Sequence, residues 1–269
     1  MTTVRIGMVN FINTAPFYSV WQSRPPEPSW RVTEAVPTRL NRLLHAGELD
    51  LAIASSHEYA AHPESYRILD GLSISSNGAV GSVFLFSDRR PEDLDGRTVG
   101  LSPQSQTSNH LVKIVLEELY QVRPRYVLDR DAETEAEVSI GDEALRWHIE
   151  GRHRYAVDLG QAWMEFCGLP FVFAAWLVRR DFWDQAADTV RRVRDRLVAC
   201  VAAGNEQLAA ISAAVAPRIP MDVERCHRYL AGLQYDLDEA KKRSLALFYQ
   251  KLVERGEADP RCLPIAFCG

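Results

Sequence analysis

The sequence predicts an α/β protein built as two lobes that face each other across a cleft. Three observations carry this. From Val4 to Tyr59 strands alternate with helix or loop, a βαβαβ pattern whose parallel strands present their carboxyl ends to ligands. A polar break, Asp88-Arg-Arg-Pro-Glu-Asp-Leu-Asp-Gly96, then opens a second α/β series. Finally Phe171-Val-Phe-Ala-Ala-Trp-Leu-Val178, the most apolar run, reads as a buried strand returning to the first lobe. The chain is therefore expected to cross near 88 and near 175, with residues 1–87 and 176–269 in lobe 1 and 88–175 in lobe 2.

In chain order, Val4-Arg-Ile-Gly-Met-Val9 is the first strand, and Pro16 suits the first turn of the helix that follows. Asn13 and Thr14 stand just before that helix. Trp30–Val36 is the second strand. Thr38 is expected to cap a short helix, with Leu40, Leu43 and Leu44 on one face and Gly47 at its stop. Leu49–Ala54 is the third strand and ends in Ser55-Ser56-His57-Glu58. Leu72–Gly78 reads as a turn-rich segment, and Gly81–Ser87 as a strand with Ser82 near its start. Thr98–Leu101 leads through Ser102-Pro-Gln-Ser-Gln-Thr-Ser-Asn-His110 into the stripe Leu111, Val115, Leu119. This is a strand-to-helix loop, with Ser105 or Thr107 as N-cap. Tyr126–Leu128 and Ala136–Ile140 are further strands, the second turning into a helix at Asp142. The strand before Asp158 ends in a loop. From Asp184 onward the pattern is helical, with Asp236 and Glu239 spaced as a capping box.

At 269 residues with a net charge of −5, the chain can bury a sizeable core but carries no electrostatic footprint for nucleic acid. No apolar run approaches the ~18–20 residues that span a bilayer. The amino terminus runs directly into a strand with no secretion signal, so a cytoplasmic location is expected. Five scattered cysteines without a C-x-x-C pair fit reduced thiols. No His, Cys or carboxylate cluster has metal-ligand spacing, and the NTPase, dinucleotide, zinc-protease and esterase signatures are missing.

The candidates for the cleft are polar but mostly uncharged. Asn13, Thr14, Ser55, Ser56 and Ser82 come from lobe 1, and Ser105, Gln106, Thr107, Ser108, Asp142 and Asp158 from lobe 2. Hydroxyls gathered at a helix start suit an anion, and a carboxylate is the natural guest where no Lys or Arg intervenes.

The segments Asn10-Phe-Ile-Asn-Thr-Ala-Pro16, Leu49–Tyr59, Ser73–Ser82, Ser102–Ser108, Gly141-Asp-Glu-Ala-Leu145 and Asp158–Trp176, in that order, resemble the MqnA family. Those are the chorismate dehydratases of the futalosine route to menaquinone. The resemblance implies a two-lobed, type II periplasmic-binding-protein-like fold in a cytoplasmic enzyme that needs no cofactor or metal. The substrate would be chorismate, dehydrated to 3-[(1-carboxyvinyl)oxy]benzoate. It implies that Asn13 faces the substrate in a catalytic role and that Ser105–Ser108 contacts a carboxylate. The related synthase of 1,4-dihydroxy-6-naphthoate usually begins with a Ser-Pro-Cys-Pro-Asn-Asp-like loop, which this chain lacks. The proton acceptor is expected to be the substrate's own side-chain carboxylate, with His57 as the fallback base. The competing expectation is a non-catalytic binder of a small carboxylate.

Overall fold

A computed structural model describes residues 3–129 and 132–269. In chain order the strands are β1 (Val4–Met8), β2 (Trp30–Glu34), β3 (Leu51–Ser55), β4 (Tyr66–Ser76), β5 (Val83–Ser87), β6 (Thr98–Gly100), β7 (Arg125–Val127), β8 (Ala136–Ile140), β9 (Tyr155–Asp158), β10 (Phe171–Arg179), β11 (Leu233–Gln234) and β12 (Phe267–Cys268). The helices are α1 (Ala15–Ser23), α2 (Pro37–His45), α3 (Ser56–Ala61), α4 (Gln106–Ile114), α5 (Gly141–Glu150), α6 (Leu159–Cys167), α7 (Arg180–Glu206), α8 (Leu208–Val215), α9 (Val223–Gly232) and α10 (Glu239–Glu254).

Two sheets divide the chain. The first has the order β11-β4-β10-β3-β1-β2 with β12 beside β4, and the second the order β7-β6-β8-β5-β9. β1 pairs in parallel with β2 and β3, as expected of the amino-terminal βαβαβ unit. In the second sheet β6 runs parallel to β7 and β8. The carboxyl ends of β1, β3, β6 and β8 therefore supply the loops between the sheets, where α/β folds place ligands.

The crossing points differ from the expected ones. β5 pairs with β8 and β9, so it belongs to the second sheet, and the chain crosses before it, between 77 and 82. Ser82 is accordingly a lobe 2 residue. β10 pairs along its whole length with β3 and β4, so the return precedes 171 instead of falling near 175. The segment 72–76, read as turn-rich, is the continuation of the eleven-residue strand β4. It gains its partners from β10 and β11, which are distant in sequence.

Local chemistry explains the helix ends. Pro37 opens α2 with Val36 as the capping residue, so Thr38 lies inside the helix. Ser105 is the N-cap of α4, and its hydroxyl accepts from the Ser108 amide. For α10 the cap is Asp238, which accepts from the Lys241 amide, and Asp236 instead pairs with the Lys241 ammonium. α7 starts at Arg180, a few residues earlier than expected, and is kinked at Ala186. It crosses α1 so closely that a Cβ on Gly204 would lie 1.8 Å from the Pro16 carbonyl oxygen. Only glycine fits there. The lobes share one continuous core. At its centre Trp163 of α6 packs edge-on against Phe171 and Phe248, and its indole donates to Ser244. All five cysteines are free.

Candidate active site

Between the sheets lies a cavity with about 540 Å³ of space between its walls, counting its open mouth. Most of the wall is apolar: Val9, Phe11, Ile53 and Ile74 with Phe173 from lobe 1, and Val83 with Ile140 from lobe 2. The polar side chains in the wall are Asn13, Ser55, Ser82, Ser105 and Ser108. Among the described residues, none that lines it carries a titratable side chain.

The wall is polarised by the ends of helices instead. Asn13 sits in the turn just before α1, Pro37 opens α2, and Ser55 caps α3. Ser105 caps α4, and Ile140 and Gly141 begin α5. Five helices thus start at one cavity, each turning the positive end of its dipole toward it, with the Ser108, His57 and Gly141 amides already bonded to Ser105, Thr107 and Ser82. A negative guest is favoured there without any cationic side chain.

The Asn13 side chain is left wanting. Its Oδ1 is buried and has no hydrogen-bond partner among the described residues. Its backbone, by contrast, is tied down. The Tyr235 hydroxyl donates to the Asn13 carbonyl at 2.7 Å, and Thr14 Oγ1 to the carbonyls of Val9 and Phe11 at 2.8 Å each. Arg218 reaches the Asn10 carbonyl at 2.7 Å. On the facing helix, Ser105 Oγ and Ser108 Oγ lie 2.9 Å apart, a hydroxyl pair at the head of α4.

Of the eleven residues expected in the cleft, Asn13, Ser55, Ser82, Ser105 and Ser108 line the cavity. The other six do not, and each has a structural employment. Thr14 closes its own turn, as above. Ser56 Oγ donates to the Val172 carbonyl, and Thr107 Oγ1 accepts from the His57 amide. Gln106 accepts from Asn41. Asp142 accepts the Ile12 amide of the opposite lobe at 3.0 Å. Asp158 caps α6 and also holds the first crossing segment, accepting from Val80 at 3.0 Å and Gly81 at 2.6 Å. Burial raises its pKa, against the pull of the Val80, Gly81, Gln161 and Gly160 amides.

His57 does not line the cavity either. Its ring is buried and stacked on His110, centroids 4.0 Å apart, and burial together with His110 pushes its pKa down to about 4. His110 is partly buried and pairs with Glu257 at 2.9 Å. Burial raises the Glu257 pKa, but hydrogen bonds from His110 and Lys113 outweigh it and hold the carboxyl far below its usual range. The apolar walls escaped the sequence reading. Gly141 had a signal in the Gly-Asp-Glu motif, whereas Phe173 and Ala174 lay hidden in a run that reads only as buried strand.

Among the described residues one group brings metal-ligand types together: His45, Glu58 and His62, outside the cleft. The two imidazoles are tilted at 32° to each other, 4.1 Å between centroids, and Glu58 accepts from the Tyr66 hydroxyl. Their ligand atoms lie within 4.8 Å of one another, and the Tyr66 hydroxyl also comes within 3.4 Å of His45 Nδ1.

The sequence model of a family described as menaquinone biosynthesis matches residues 4–254. A chorismate dehydratase of Thermus thermophilus is 29% identical over 92% of this chain and 94% of its own. Another, from Campylobacter jejuni, is 30% identical over 62% of this chain and 64% of its own. A 1,4-dihydroxy-6-naphthoate synthase of Thermus thermophilus is 28% identical over 98% of this chain and 99% of its own. Among solved structures, a protein of Archaeoglobus fulgidus superposes with a TM-score of 0.76 at 19% identity, covering 94% of this chain and 98% of that one. The alkanesulfonate-binding protein of Xanthomonas axonopodis, bound to MOPS, gives 0.69 at 15% identity, covering 97% and 96%. These last two likenesses establish the periplasmic-binding-protein-like fold and nothing about the ligand.

Proposed function

The chain belongs to the menaquinone-biosynthesis family, and from that premise we propose that it is a chorismate dehydratase. The observation that carries the reading is the cavity itself. Hydroxyls and five helix starts surround a space free of titratable side chains, with the unpartnered Asn13 Oδ1 at its wall. Such a wall suits a dianionic guest whose reaction redistributes charge onto its own carboxylate.

Chorismate is such a guest. Loss of the proton from ring C3 sends its electron pair through the neighbouring double bond onto the ring carboxylate. The pair then returns to form the C3–C4 double bond as hydroxide leaves C4, and the ring becomes aromatic. The side-chain carboxylate of the substrate takes the C3 proton, and that proton leaves with the hydroxide as water. Donors at the head of α4 grip the ring carboxylate more tightly as charge gathers on it. One such donor is typically worth ~3–4 kcal/mol of barrier. Asn13 orients the substrate and polarises it. The reading includes a place in the futalosine route and a cytoplasmic location, the latter testable by cell fractionation.

The test is direct. Purified protein mixed with chorismate should change the ultraviolet spectrum and yield a product lighter by one water. Unchanged chorismate would demote the reading to a carboxylate binder. Turnover of the naphthoate synthase's substrate instead would favour that sibling, whose sequence covers the chain equally well. Replacing Asn13 with Ala should cost at least ~100-fold in kcat if it stabilises the transition state, and full turnover would remove that role.

A further inference from the structure

Asp142 was expected to touch substrate and does not line the cavity. What it does touch is more informative. Its Oδ1 accepts the backbone N–H of Ile12 at 3.0 Å, and its Oδ2 lies 3.7 Å from the Arg218 guanidinium. Ile12 directly precedes Asn13. Arg218 in turn donates to the Asn10 carbonyl at 2.7 Å and to Asn10 Oδ1 at 3.2 Å. Beside this link the Phe11 ring lies against Gly141, where an added Cβ would come within 3.1 Å of it.

The loop 9–13 is otherwise held from within lobe 1. Thr14, Arg218 and Tyr235 take the carbonyls of Val9, Phe11, Asn10 and Asn13. The hydrogen bond to the Ile12 amide differs from these because its acceptor stands on α5, across the cleft. A bond across the cleft holds only while the two lobes are together.

We propose that Asp142 is a positioning residue that makes the placement of Asn13 conditional on lobe closure. In the open state the Ile12 amide loses its acceptor, Arg218 loses its counter-charge, and the loop that carries Asn13 is held by its lobe 1 contacts alone. In the closed state Asp142 and Arg218 grip the loop from both sides, and the Asn13 amide is presented to the substrate. The proposal rests on the dehydratase reading for its kinetic arm only.

Two variants and two readouts test it. Asp142→Ala removes the acceptor, and Asp142→Asn keeps an oxygen for the Ile12 amide while losing the attraction for Arg218. Hydrogen exchange of peptides covering 9–14, measured in the full-length protein without substrate, reads the latch independently of activity. Exchange there should speed up in the Ala variant and less so in the Asn variant. With chorismate, kcat should fall on the order of 10- to 100-fold in Asp142→Ala with KM changed far less, and Asp142→Asn should recover part of the loss. Unaltered exchange with unaltered kcat overturns the proposal. A rise in KM at constant kcat overturns it in favour of direct substrate contact. Should the Ala variant fail to fold, exchange and kcat of the Asn variant against wild type decide the question. If wild type does not turn over chorismate, the function falls while the exchange result still judges the latch.

Discussion

Replacing His57 with Phe separates a stability role from a catalytic one. The ring is 7% exposed, lies flat on His110, and approaches the Glu257 carbonyl at 3.3 Å through Nε2. Its Nδ1 has no partner among the described residues. Burial, with the neighbouring His110, lowers its pKa to about 4. The unfolded chain takes up a proton at this histidine below about pH 6.5, whereas the folded protein does so only near pH 4. Between those values the unfolded state binds more protons, so stability is full above pH 6.5 and is lost on acidification. At about 1.4 kcal/mol per pH unit, the descent from pH 6.5 to 5 costs ~2 kcal/mol from this residue alone. Phe keeps a flat apolar ring and removes the titration. Urea unfolding at pH 7.5, 6.5, 5.5 and 5 should give a pH slope shallower by that amount in His57→Phe. Turnover at pH 7.5 should stay near wild type, because the ring does not line the cavity. Equal slopes in the two proteins would refute the buried neutral imidazole. A folded but inactive variant would reinstate His57 as the base.

Two further substitutions probe the frame of the site. Gly141→Ala forces an alanine to φ +64° and sets its Cβ 3.1 Å from the Phe11 ring. Left-handed backbone alone costs roughly 1–2 kcal/mol, so thermal unfolding should shift down and kcat should fall as Phe11 is displaced from the wall. An unchanged melting temperature would contradict the contact. Asp158→Ala strips the acceptor from the Val80, Gly81, Gly160 and Gln161 amides. It should destabilise by ~2–4 kcal/mol while KM for chorismate stays near wild type. A fully stable variant with a raised KM would return Asp158 to the substrate.

Much of this architecture was legible in the chain, because strand and helix periods are local. The amino-terminal βαβαβ unit and the buried return strand follow from patterning alone. The crossing point was not legible. Val83-Phe-Leu-Phe-Ser87 is apolar on both faces and would suit either sheet, and its assignment rests on pairing with β8 and β9, which are distant in sequence. The site was half legible for a related reason. Sequence can place hydroxyls at a helix start but cannot choose between neighbours. Ser55 faces the cavity while Ser56 turns to the Val172 carbonyl, and Ser108 lines the wall while Thr107 receives the His57 amide. For the carboxylates the difficulty was greater. Asp142 and Asp158 sit at helix starts, where an acid reads equally as a cap or a ligand, and their true partners are amides that the fold brings to them.

On the proposed function, the cavity dehydrates chorismate by positioning and charge stabilisation, without an acid or base of its own. The measurement that bears on it most directly is kcat at saturating chorismate across pH 6 to 9. The walls hold no titratable side chain, and carboxylates are ionised throughout that range, so a flat profile is predicted. A limb titrating near pH 6 to 8 that persists while the protein stays folded would reveal an essential acid or base in the protein.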